Sequence, residues 1–195
     1  MEVIAGENDL NTSVKQDGCI FEFDFSKVYW NSRLQTEHSC LVEFFDSDDV
    51  VCDMFAGVGP FAIPAAKKGY TVYGNDLNPA SYEALLKNAK LNHVEDKIHA
   101  FNMEGRDFVR EIVQLSLASS LSSSSSTEQS LHKNGSKNLM PFTHVVMNLP
   151  ASTVEFVDVF QGLYSECRHA LLPMIHCYCF SKSECQGTSG EETGK

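Results

Sequence analysis

The sequence predicts an α/β fold built on a doubly wound, Rossmann-like parallel sheet, and three observations lead there. Short β-branched or aromatic runs at 50–55, 71–75, 98–102, 144–148 and 175–180 alternate with helix-like segments at 60–68, 79–92, 107–115 and 153–170. That alternation is the order of parallel strands joined by helical crossovers. A glycine-bearing turn, Gly57-Val58-Gly59, falls where the first of these strands passes into a helix. Acidic residues, Asp53, Asp76 and Glu104, recur at the ends of the first three strands, the edge at which such sheets bind ligands.

Taken in order, residues 1–30 read as a lead-in segment. Its stretch 19–29 alternates apolar and polar side chains (Ile20, Phe21, Phe23, Phe25, Val28), consistent with one strand before the core. A helix follows at 34–45. Pro60 and Pro79 stand near helix starts, where a missing N–H costs little. The main domain is expected to span 31–182, interrupted at 116–138, where ten of 23 positions are serine. Such a segment buries too little apolar area to offset its ordering entropy, and a disordered surface insertion is expected. The polar, glycine-containing tail at 183–195 is also expected to be disordered.

Composition narrows the function classes. The chain has 195 residues, 43% hydrophobic and 21% charged, with no apolar run near the roughly 20 residues that cross a bilayer. The first residues have neither the basic start nor the apolar stretch of a presequence, so an intracellular address is expected. Seven cysteines, an odd number scattered through apolar runs, read as reduced core thiols. Cys177-x-Cys179 has the wrong gap for a zinc or C-x-x-C redox half-site, and no metal is expected. The net charge of −11 is the reverse of what a polyphosphate-gripping surface shows, so this segment alone is expected to bind RNA poorly.

The stretch Asp53-Met54-Phe55-Ala56-Gly57-Val58-Gly59-Pro60-Phe61 is the cofactor candidate. Glycines at 57 and 59 let the backbone turn sharply and approach a ligand. Ala62 occupies the third position of the dinucleotide pattern as an accepted variant, so that motif alone leaves a dinucleotide open. Asp53 shifts the balance, since a carboxylate there repels a pyrophosphate and suits a sulfonium. Asp76 stands where a carboxylate accepts bonds from ribose hydroxyls, and Glu104-Gly105 where an adenine would lie. The plainer alternative is that each acidic residue caps the helix after it. The fourth strand ends in Asn148-Leu149-Pro150, where an amide can orient a base edge and proline fixes the turn. The plainer reading there is a simple strand-to-helix turn.

Three ordered stretches together carry a resemblance: Tyr29-Trp30-Asn31-Ser32-Arg33-Leu34-Gln35-Thr36-Glu37-His38, the Asp53–Phe61 loop, and Asn148-Leu149-Pro150. The chain resembles the archaeal and eukaryotic tRNA guanine-37 N1-methyltransferases over about 3–182, apart from the serine-rich insertion. The resemblance implies a class I S-adenosylmethionine-dependent methyltransferase domain, with S-adenosyl-L-methionine as cofactor and tRNA as substrate. It implies Glu37 as general base toward guanine N1, Arg33 as the group stabilising charge on guanine O6, and Tyr29, Asn148 and Pro150 as holders of the target. His38, Asp76, Leu77, Glu104, Gly105 and Asn148 would contact the donor, beside the loop residues Asp53, Phe55, Gly57 and Gly59. Ser32 and Glu104 depart from the family's usual proline and aspartate. Without the resemblance, Tyr29, Arg33 and Glu37 read as a helix start with a surface ion pair.

The resemblance further implies a catalytic domain truncated at both ends, lacking the family's N-terminal tRNA-recognition modules and its last strands. A monomer is expected, in the cytoplasm, nucleus or mitochondrial matrix. Two other readings compete: an aminocarboxypropyl transferase of wybutosine synthesis, and a catalytically incomplete fragment that binds S-adenosylmethionine.

Overall fold

The computed structural model describes residues 3–122, 140–165 and 172–180, with side chains described as far as Leu117 in the first of these. Five strands, β3 (Val50–Asp53), β4 (Thr71–Asn75), β5 (Ile98–Phe101), β6 (His144–Asn148) and β7 (Met174–Tyr178), form one sheet in the order β5-β4-β3-β6-β7. Every pairing in it is parallel. The chain runs outward from β3 to β5 and then returns to β6, so the order reverses between β3 and β6 and opens a crevice at their carboxyl ends.

Each face of the sheet has its own core. Helices α1 (Gln35–Phe44), α2 (Ala62–Lys67) and α3 (Pro79–Leu91) cover one face, with Leu41, Ile63 and Leu85 buried against Val51 and Val72. On the other face α4 (Gly105–Ser122) buries Phe108, Val109, Ile112 and Val113 against Tyr73, Val145 and Met147. This is the doubly wound arrangement that the sequence predicts, and β4 and β6 have the predicted bounds.

The lead-in segment holds two strands where one is expected. β1 (Asn11–Gln16) and β2 (Cys19–Asp24) form an antiparallel hairpin. Its turn residues Asp17 and Gly18 both have positive φ, 51° and 70°, the conformation that an Asp-Gly pair adopts in a two-residue hairpin. The outer edge of β2 is closed by side chains of α3 and its cap: Asn88 Oδ1 accepts from the Glu22 N–H (2.8 Å) and Asn92 Oδ1 from the Ile20 N–H (2.9 Å). Asn88 is fully buried, and its amide also donates to the Val58 carbonyl (3.0 Å), tying the hairpin to the glycine loop.

Three further expectations are corrected. The helix expected at 107–115 continues to Ser122, into the first residues of the expected insertion. Leu117 packs against the core of that face, and the Ser116 hydroxyl donates back to the Val113 carbonyl (2.9 Å), so the helical pattern outlasts the apolar run. The remainder of the insertion and the tail at 183–195 lie outside the described residues. The helix expected at 153–170 is a 3-10 segment, Thr153–Phe160, followed by turns through Gly162 at φ 72°; a glycine in that conformation ends regular helix. The part of the expectation beyond Ser165 is outside the described residues. Finally, Cys19 and Cys52 are buried, but Cys40, Cys177 and Cys179 are exposed. Cys40 is on the solvent side of α1, Cys177 is on β7, the last strand in the sheet order, and Cys179 follows directly after it.

Removing the Asn88 amide leaves the Glu22 N–H and the Val58 carbonyl without partners in a buried setting. Asn88→Leu is expected to destabilise the chain by about 1–3 kcal/mol, measured by urea unfolding; an unchanged midpoint would show that the hairpin anchor contributes nothing.

Candidate active site

The loop after β3 threads between its neighbours. The Met54 N–H donates to the Val146 carbonyl on β6 (3.0 Å), and the Ala56 N–H to the Asn75 carbonyl on β4 (2.7 Å). Gly57 and Gly59 have φ of 55° and 102°, the left-handed region that other residues enter at a cost. At Gly59 a Cβ would stand 2.6 Å from Ile63 Cγ1 and 2.9 Å from Leu85 Cδ1. Two independent reasons therefore require glycine there.

Asp76 locks this loop from the next strand end. Its Oδ2 accepts from the Gly57 N–H (2.9 Å) and its Oδ1 from the Asn78 N–H (2.8 Å). Burial raises its carboxyl above the usual range, offset in part by those two N–H groups. Asn75 beside it is buried. Its amide nitrogen donates to the Met54 and Met103 carbonyls (3.2 and 3.0 Å), and its oxygen accepts from the Met103 N–H (2.9 Å). One side chain thus joins the ends of β3, β4 and β5.

Two adjoining cavities open at this edge. The larger, about 440 Å3, reaches from Tyr29, Trp30 and His38 past Gly57 and Asp76 to Asn148 and Pro150. The second, about 390 Å3, lies among Asp76, Leu77, Glu104, Gly105 and Phe156. Phe55, Asp76, Asn78 and Leu149 border both, making them two halves of one elongated site. Gly105 begins α4 with little room for a side chain, since a Cβ would stand 3.1 Å from the Phe55 ring. Phe55 in turn meets Phe156 edge-on at 4.9 Å. Arg106 holds Phe156 in place: its guanidinium lies 4.3 Å from that ring, and it donates to Asp158 (2.9 Å) and to the Glu155 carbonyl (2.6 Å).

Polar groups without partners converge on the larger half. Asn148 Oδ1 and both ring nitrogens of His38 are buried with no hydrogen-bond partner, although both residues border the cavity. Burial lowers the His38 imidazole to about 4, so it is neutral at pH 7, and it packs at a tilt against the Phe61 ring, 4.1 Å between centroids. The corner after β6 is built from Thr153, whose hydroxyl accepts from the Leu149 N–H (2.8 Å) and donates to the Tyr178 carbonyl (3.0 Å).

The predicted residues divide into three groups. Tyr29, His38, Phe55, Gly57, Asp76, Asn148 and Pro150 border the larger half, and Leu77, Glu104 and Gly105 the second. Glu104 is at the same time the cap of α4, its Oε2 accepting from the Arg106 and Asp107 N–H groups (2.8 and 3.2 Å), so the plainer reading of that residue also holds. Asp53, beneath the loop, and Gly59, within it, border neither cavity. Asp53 is fully buried, its oxygens have no hydrogen-bond partner, and the Phe55 amide only partly offsets the burial that raises its carboxyl to about 8. Direct contact between Asp53 and a ligand is therefore corrected: the glycine loop stands between them. Arg33 and Glu37 are exposed and outside the cavity lining. The surface Arg33–Glu37 pair of the plainer alternative is absent from the ion pairs among the described residues; Arg33 belongs to a 3-10 turn, Ser32–Leu34, and Glu37 to α1. Leu34 and His38, flanking Glu37 on the same stretch, do border the cavity, and the Tyr178 phenol is raised by burial and, to a lesser extent, by the Glu37 charge.

Several site residues escape the sequence reading. Asn78 caps α3 just before Pro79, with its Oδ1 accepting from the Ala80 N–H (3.0 Å), and an Asn-Pro helix start is a readable signal. Trp30, in the segment after the hairpin, borders the cavity while packed 5.3 Å from Phe21 and 5.1 Å from Phe23 of β2. Phe156 and Phe180 carry no local signal at all.

A family model described as the TRM5/TYW2 methyltransferase domain matches residues 12–134. The tRNA (guanine(37)-N(1))-methyltransferase of Xenopus tropicalis is 50% identical over 186 residues, covering 94% of this chain and 35% of that protein. Its Homo sapiens counterpart is 48% identical over 184 residues, covering 93% and 34%. The chain thus spans about a third of the length of these curated relatives. Among solved structures, M. jannaschii tRNA m1G37 methyltransferase aligns with a TM-score of 0.60 at 33% identity, over 80% of this chain and 41% of that one. M. jannaschii TYW2 in complex with AdoMet aligns at 0.57 and 26% identity, over 81% and 59%.

Because the folded-state carboxyl of Asp53 is raised, its contribution to stability is present below the unfolded value of 3.8 and is lost as pH rises through about 8. Asp53→Asn removes that dependence. Its melting temperature relative to the parent is expected to be higher at pH 8 than at pH 5; a difference independent of pH would sink the assignment of a neutral Asp53.

Proposed function

Because the chain belongs to the TRM5/TYW2 methyltransferase-domain family, we propose that it carries the catalytic domain of a tRNA (guanine37-N1)-methyltransferase. The observation that carries this reading is the single elongated site whose two halves share Asp76 and Phe55. One half suits a nucleoside and the other a base presented to it.

S-adenosyl-L-methionine fits the residues present. Phe55, Leu77, Gly105 and Phe156 offer flat apolar walls for adenine, and Asp76 has acceptor capacity left for ribose hydroxyls. A neutral His38 places no positive charge beside a sulfonium. When bound, the cofactor supplies an electrophilic methyl group.

The chain's own residues do the rest. N1 of guanine holds a proton at neutral pH, and we assign its removal to the Glu37 carboxylate. Arg33 stabilises the charge that then develops on O6. Asn148, whose oxygen is buried at the cavity without a partner, accepts from the guanine edge, and Pro150 fixes the corner that aims it. Tyr29, exposed at the rim, holds the target base after it leaves the anticodon loop. Glu37 and Arg33 lie on the solvent side of their segment, so substrate completes this part of the site by covering them. Asp53 acts from beneath the loop as a positioning group.

We place the activity in a monomer with tRNA as its macromolecular partner, inside the cell in the cytoplasm, nucleus or mitochondrial matrix. No helix among the described residues is long and apolar enough to cross a membrane.

In the full chain, Glu37→Gln is expected to lower single-turnover methylation of a tRNA transcript by roughly 100-fold or more; full activity would remove Glu37 as the base. Asp76→Ala is expected to weaken S-adenosylmethionine binding by roughly ten- to hundredfold in isothermal titration, and unchanged affinity would place the ribose elsewhere. Mass spectrometry of the product nucleoside separates the gain of a methyl group from the larger aminocarboxypropyl group, which would overturn the reaction assigned.

A further inference from the structure

Resting on the methyl-transfer reading above, we propose that Phe180 is a stacking platform for the unpaired nucleobase that flanks the target guanine in tRNA. Phe180 borders the larger cavity, yet 79% of it is exposed. It makes no aromatic ring contact among the described residues, so a large flat apolar face is presented to water at the mouth of the site.

The backbone that carries this ring is nevertheless tied to the corner after β6. The Phe180 N–H donates to the Pro150 carbonyl (3.2 Å), and two residues earlier the Tyr178 carbonyl accepts from the Thr153 hydroxyl (3.0 Å). Both bonds join the end of β7 to the turn that follows Asn148. Movement of Phe180 relative to Asn148 and Pro150 therefore requires breaking them.

Depth assigns the partner. Asn148 Oδ1 is buried, whereas Tyr29 and Phe180 stand at the rim, 65% and 79% exposed. A base that reaches Asn148 enters past this rim, and the next nucleotide along the strand stays outside, beside the exposed rings. That neighbour has just lost a stacking partner, because flipping removes the target from the base stack. An aromatic side chain replaces such a partner without regard to base identity. Charge points the same way: the chain carries a formal net charge of −11, a poor basis for gripping phosphates, whereas stacking needs no positive surface.

The test uses the full chain and a tRNA transcript with 2-aminopurine at the position flanking the target. Binding is expected to quench its fluorescence with the parent protein and with Phe180→Trp, but not with Phe180→Ala or Phe180→Leu. In methylation assays Phe180→Ala is expected to raise the KM for tRNA about tenfold. An abasic nucleotide at the flanking position is expected to raise the parent's KM equally and to leave that of Phe180→Ala unchanged. Equal quenching by parent and Phe180→Ala, whether large or nil, overturns the proposal, as does an abasic effect that persists in full in the variant. A parent protein that quenches normally but methylates no tRNA defeats the reaction assigned above and leaves the platform standing.

Discussion

At the carboxyl edge of the sheet the Asn75 amide bonds Met54 and Met103 at once, and the neighbouring Asp76 carboxylate bonds Gly57. These contacts fix the separation of three strand ends, and the remaining site geometry follows from it. The glycine loop can arch over Asp53 only because its Met54 and Ala56 N–H groups are taken up by β6 and β4 on either side. The elongated cavity is the space left between that arch, the hairpin and the turn after β6. A buried amide serves this purpose better than a charged group, since it satisfies a donor and two acceptors without a desolvated charge.

The two carboxylates of the loop region divide the work through burial. Asp76 keeps part of its surface toward the cavities and two N–H donors, while Asp53 is sealed with none in hydrogen-bond geometry. The same residue type therefore serves as a cavity-facing acceptor in one place and as a neutral group sealed beneath the loop in the other. His38 follows the same rule with opposite sign, its ring kept neutral by the apolar wall that Phe61 provides.

Residues that act through local backbone pattern were legible in the sequence. The strand-turn-helix unit around Gly57 and Gly59, the acidic strand ends and Asn148 before Pro150 all combine a special conformation with a fixed place in a periodic run. The hairpin is legible too, through Asp17-Gly18, although the alternation at 19–29 by itself indicates a single strand. Residues brought in by tertiary packing were not legible. Phe156 becomes a cavity wall because Arg106 reaches it from another element, and Phe180 reaches the rim because β7 pairs with β6. The 3-10 geometry of 153–160 has a similar tertiary origin: Thr153 commits its hydroxyl to Leu149 and Tyr178, and that tether competes with regular helix.

The phenol of Tyr73 on β4 donates to the Met140 carbonyl (3.0 Å) and accepts from the Met140 N–H (2.9 Å). It hooks the chain as it returns toward β6, at the edge of the sheet opposite the site. With the departure fixed by α4 and the return fixed by this hook, the ends of the intervening span stay put whatever its length. Each doubling of such a span costs only about 0.6 kcal/mol of closure entropy. Insertions and deletions can therefore accumulate between α4 and Met140 while the reacting edge keeps its shape, so the serine-rich stretch is a place where relatives are free to diverge in length.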